Sequence, residues 1–227
     1  MSATPVRIPI GDRGDVGGLL LVPGEAIACY VMAHGAGAGM AHPFMSALAT
    51  DLARERVATL RYQFPYMERG SKRPDAPADA HAAVRAAVAY ARDACEGLPL
   101  IAGGKSYGGR MTSQAQAIEP LAGVRGLAFI GFPLHPPGRP SDERARHLDD
   151  VRVPMLFVTG SRDEFAEPRV LDPVIARLGV RATLHLVADG DHSLHVPARS
   201  GRRDPGVRAL AAATLGQWAE ALIMGAP

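Results

Sequence analysis

The stretch Leu98-Pro99-Leu100-Ile101-Ala102-Gly103-Gly104-Lys105-Ser106-Tyr107-Gly108-Gly109-Arg110 decides the fold. An apolar run leads straight into Gly-x-Ser-x-Gly, and a helical pattern follows. That order describes a buried strand, a sharp turn and a helix, with Ser106 held exposed at the turn. Small residues at Gly104 and Gly108 let strand and helix approach closely around a strained serine. The amide of Tyr107, at the start of the helix, is free to donate to an oxyanion on an attacked carbonyl.

Working outward, continuous apolar runs at residues 28–33, 57–60, 98–102, 127–130, 155–158 and 182–187 read as strands, most of them buried on both faces. Helical patterns separate them. Phe44, Leu48 and Leu52 share one face, as do Ala80, Val84 and Val88, while Val207, Leu210, Leu215, Trp218 and Leu222 form the stripe of a final helix. Residues 6–10 and 18–22 flank a Gly/Asp turn and read as an antiparallel pair. The order predicts an α/β protein: a doubly wound, mostly parallel sheet with an antiparallel start. Residues 63–78 and 131–153 are rich in Pro, Gly and charge and follow strand ends, so both are candidates for the walls of a site. Residues 131–153 are too short to build a lid with its own core, and one domain spanning residues 1–227 is expected.

Composition narrows the function. The 227 residues are 47% hydrophobic with a formal net charge of +2, and the basic residues are scattered, which points to no nucleic-acid partner. Two cysteines, Cys29 and Cys95, give neither a disulfide framework nor a zinc pattern. No signal peptide is visible in residues 1–14, and no stretch is apolar enough to span a membrane, so a cytoplasmic protein with no membrane partner is expected.

A serine hydroxyl is a weak nucleophile until a base takes its proton, and the base needs an orienting group. Asp163 follows the strand 155–158, and His192 follows the next strand in Asp189-Gly190-Asp191-His192-Ser193. The order Ser106, Asp163, His192 puts all three on one rim of the sheet. Competitors are His195 for the base and Glu164 or Glu167 for the acid, while His185 lies inside a strand pattern. The glycine-rich stretch Met32-Ala33-His34-Gly35-Ala36-Gly37-Ala38-Gly39 supplies a second oxyanion donor, assigned to the Ala36 amide, and His34 is placed to brace that loop. Tyr62, Phe64 and Tyr66 either line a substrate cleft or pack over the sheet edge. Asp189, Asp191, His192 and His195 match no standard metal spacing, and Lys105-Ser106 lacks the leading glycine of a phosphate loop. Lys105 then reads as a surface or salt-bridged residue, and no metal or organic cofactor is expected.

With these residues in order, the chain resembles the α/β-hydrolase superfamily, in its dienelactone-hydrolase-like group of small lidless enzymes. The resemblance rests on the early His-Gly-x-Gly loop, the Gly104–Gly108 elbow, the loop from 160 to 163 and Asp191-His192, and covers nearly the whole chain. It implies hydrolysis of an ester or related acyl compound by Ser106, His192 and Asp163. Within the superfamily, Leu60-Arg61-Tyr62-Gln63-Phe64-Pro65-Tyr66 and the elbow resemble a branch that includes a regulatory subunit of a histone acetyltransferase complex. That branch implies an alternative, a hydrolase-like fold serving as an interaction module. Dienelactone hydrolases typically use a cysteine where this chain has Ser106.

Overall fold

Six unbroken apolar residues, Ala28 to Ala33, form a strand buried on both faces, because alternate side chains enter opposite halves of the core. Ala28, Tyr30 and Met32 join one cluster, and Cys29, Val31 and Ala33 the other. The computed structural model describes residues 2–225. Strands β1 (Thr4–Pro9), β2 (Asp15–Leu21), β3 (Ala28–Ala33), β4 (Val57–Tyr62), β5 (Leu100–Lys105), β6 (Val124–Ile130), β7 (Met155–Gly160) and β8 (Ala182–Val187) form one 8-stranded sheet ordered β1-β2-β4-β3-β5-β6-β7-β8. The pairs β1–β2 and β2–β4 are antiparallel, and every pair from β4–β3 to β7–β8 is parallel. The expected α/β class, with its antiparallel start, is the observed one.

Helices α1 (Pro43–Arg54) and α6 (Asp204–Met224) cover one face, and α3 (Pro77–Ala94), α4 (Tyr107–Ile118) and α5 (Pro168–Leu178) the other; a short α2 (Pro65–Glu68) follows β4. In α6 the buried stripe is Val207, Ala211, Ala212, Leu215, Gly216 and Ala219, and Leu210 is 46% exposed, against the stripe read from its larger residues. The small residues let α6 press against α1: a Cβ on Gly216 would lie 2.8 Å from that of Glu55.

Progress along the sheet reverses between β3 and β5, since the chain runs from β3 out to β4 and then returns to start β5 on the other side. The loops leaving the carboxyl ends of β3 and β5 diverge there and open a crevice. Residues 131–153 do not wall it. Phe132, Leu134, Ala145 and Leu148 are buried in the core, and the 3-10 stretch Glu143–Asp150 packs on α4.

Candidate active site

At the end of β5 the chain turns into α4 through Ser106, whose φ of 50° and ψ of −116° no ordinary helix or strand uses. Its amide donates to the Ile130 carbonyl at 3.0 Å and its carbonyl accepts from the Arg110 amide at 3.2 Å, so sheet and helix both hold the turn. Close approach demands glycine on either side. A Cβ on Gly104 would lie 2.2 Å from the Ala33 carbonyl oxygen, and one on Gly108 would lie 2.6 Å from it.

The Ser106 hydroxyl donates to His192 Nε2 at 2.8 Å, and His192 Nδ1 lies 2.9 Å from both carboxylate oxygens of Asp163. With Nδ1–H donating to the Asp163 carboxylate, Nε2 is left as an acceptor facing the serine. Asp163 is 1% exposed and also accepts the Phe165 amide at 2.8 Å, so it closes its own turn and orients the imidazole together. The Phe165 ring lies on the imidazole with centroids 4.3 Å apart. His195 points elsewhere, paired with Asp204 at 2.8 Å on the surface. Glu167 pairs with Arg169. The Asp191 carboxylate accepts the amides of Ser193 at 2.7 Å and His195 at 2.9 Å, so it shapes the histidine loop.

The glycine-rich loop after β3 forms the opposite wall. Buried His34 donates from Nδ1 to the Gly35 carbonyl at 2.8 Å and accepts the Phe64 amide on Nε2 at 3.1 Å. Burial pushes its pKa down to about 4, so the ring stays neutral and keeps both bonds. The Tyr66 hydroxyl accepts the Gly37 amide at 3.1 Å. Among the described residues no main-chain carbonyl accepts the Ala36 amide, and Tyr107, first in its helix, has no intrahelical acceptor. Ala36 shares the cavity with Ser106, and Tyr107 follows Ser106 directly in the chain.

A cavity of about 390 Å³ opens over Ser106 and His192, with Gly35, Ala36, Ala38, Phe44, Met45 and Phe165 among its walls. Tyr62, Phe64 and Tyr66 do not line it, and neither does any other part of residues 63–78. These three rings are 1%, 0% and 1% exposed, which corrects the substrate-binding expectation. Phe64 and Tyr66 pack edge-on against His34 and Tyr107, and Tyr62 packs on Phe64, so the segment backs the glycine loop from inside. The contacts read as cleft walls in sequence come instead from the start of α1 and from Phe165. Phe44 belongs to the helical face it shares with Leu48 and Leu52, and nothing in the sequence sets Met45 or Phe165 apart. Lys105 is also corrected: it lines the cavity and donates to the His192 carbonyl instead of facing solvent or pairing with an acid.

A strained serine on a parallel sheet, bonded to a histidine that is held by a buried carboxylate, defines the α/β-hydrolase class of proteins. Residues 26–220 match the family model described as alpha/beta hydrolase domain, and the chain belongs to that family. Its fold is similar to dienelactone hydrolase from Anabaena variabilis, at 18% identity over 95% of each chain with a TM-score of 0.76. It is similar as well to a serine hydrolase without a lid from Xanthomonas campestris, at 19% identity over 96% of this chain and 95% of that one, TM-score 0.72. The esterase domain of a Rhodothermus marinus protein is 17% identical, with 96% of this chain and 98% of that one covered and a TM-score of 0.72.

Proposed function

We propose that the chain is a serine hydrolase of small esters or related acyl compounds, working as one lidless domain over residues 1–227 in the cytoplasm. The observation that carries this reading is the unbroken hydrogen-bonded chain from Ser106 through His192 to Asp163. Ser106 Oγ attacks the acyl carbon while its proton passes to His192 Nε2. The Ala36 and Tyr107 amides hold the oxyanion, and His192 returns the proton to the departing alcohol as the carbon–oxygen bond breaks. Water then attacks the acyl-enzyme, giving its proton to His192, and Ser106 leaves with that proton as the acid is released. Ser, His and Asp suffice for this sequence without a metal or organic cofactor.

The test is labelling of folded protein by a fluorophosphonate probe with peptide mapping. Ser106 is expected to carry the label. A label on another serine, or none, would favour the interaction-module alternative.

The cavity volume supports a small acyl group, since about 390 Å³ lies near the lower end of the ~300–1,000 Å³ range of small-molecule sites. Across nitrophenyl esters of rising chain length, acetate or butyrate is expected to give the highest kcat/KM. Preference for long chains, or a rate jump when the ester aggregates, would contradict a small, lidless site.

A further inference from the structure

We propose that Lys105 is a positioning residue, tying the His192 loop to the end of β5 so that the imidazole stays in register with Ser106. Its kinetic consequence rests on the hydrolase reading; its structural consequence does not.

Lys105 and Ser106 are consecutive residues, and each reaches His192: the lysine ammonium donates to its main-chain carbonyl, and the serine hydroxyl donates to its ring. Among the described residues, the bond from Lys105 is the one hydrogen bond made by the main chain of His192. The surrounding loop is not relaxed. Asp189 and Leu194 have φ of 58° and 61°, positions that a branched residue such as Leu194 avoids unless held. Asp191 fixes the downstream half through the Ser193 and His195 amides, which leaves Lys105 to fix His192 itself.

The neighbourhood accommodates this tie. Gly131 lies beneath it, where a Cβ would sit 2.9 Å from the His192 carbonyl oxygen and 3.0 Å from Nζ, so a side chain there would crowd the bond. Burial pushes the ammonium down to about 8, opposed by the carboxylates of Asp163 and Asp191. A half-buried, desolvated lysine therefore lowers stability relative to an apolar chain of similar length, a penalty expected of a residue that serves the site.

The test compares wild type with Lys105→Met and Lys105→Arg. In Lys105→Met, kcat for a short-chain ester is expected to fall by about 10- to 100-fold with KM little changed, since small misplacements of a base carry such losses. Its melting temperature is expected to be equal or higher, and Lys105→Arg is expected to recover part of kcat. The groups facing Nζ are Asp163 after β7, Asp191 and His192 after β8, and Ser106 beside it. As pH rises through about 8 the ammonium loses its proton and the tie weakens, so wild-type kcat should decline there, and Lys105→Met should lack that step. The His192 Nδ1 proton, followed by NMR, should broaden or vanish in Lys105→Met. Unchanged kcat and unchanged proton signal would overturn the proposal, as would a loss of kcat that only tracks a loss of stability. Because the proton signal needs no turnover, its loss in Lys105→Met of a protein that hydrolyses no ester would uphold the tie while rejecting the hydrolase reading.

Discussion

Replacing Ser106 by alanine is expected to lower kcat on nitrophenyl acetate by on the order of a millionfold, leaving the rate that binding and oxyanion donors supply without a nucleophile. His192→Ala is expected to cost about as much, and the double variant no more than either, because nucleophile and base act as one unit. Asp163→Asn should cost on the order of ten-thousandfold, since an amide no longer selects the tautomer that leaves Nε2 free for Ser106. His195→Ala is expected to change little, its ring being engaged with Asp204 on the surface. Steady-state kinetics on purified, folded variants checks the series. If His195→Ala silences hydrolysis, or the two single losses multiply in the double variant, the proposed roles are wrong.

The parts of this site that could be read in sequence are those whose neighbours in the chain carry the signal. The strand-turn-helix context marks Ser106, and strand ends mark Asp163 and His192. The strand bounds 28–33 and 182–187 coincide with β3 and β8. The run 98–102 stops short of β5, which ends at Lys105, because Gly103 and Gly104 are extended without being apolar. What could not be read depends on partners far along the chain. Lys105 looks like a surface residue until a carbonyl 87 residues away is brought to its ammonium. Tyr62, Phe64 and Tyr66 look equally suited to a cleft or a core, and the choice is made by His34 and Tyr107, whose rings they meet.

The elbow's close approach carries the other large effect, on folding. Gly104→Ala would place a methyl group 2.2 Å from the Ala33 oxygen and 2.8 Å from the Ala33 nitrogen, at a φ of 146° that an L side chain rarely adopts. Both obstructing atoms belong to backbone, so no rotamer change relieves the clash. The backbone itself cannot retreat, because β3 is paired with β4 on one edge and β5 on the other, and Ala33 opposes Gly104 in register. Separating the strands would break ladder bonds in the middle of the sheet and open the core on both faces. A loss of about 4 kcal/mol or more is expected, which lowers the melting temperature by about 10 °C or more in a domain this size. Gly206→Ala is the control, since a Cβ there meets nothing within 4 Å and lies inside α6, so melting should stay the same or rise slightly. Thermal denaturation of both variants decides it. If Gly104→Ala melts within a few degrees of the parent, β3 and β5 yield more easily than doubly paired strands should, and the tight elbow is not what holds Ser106 in its strained conformation.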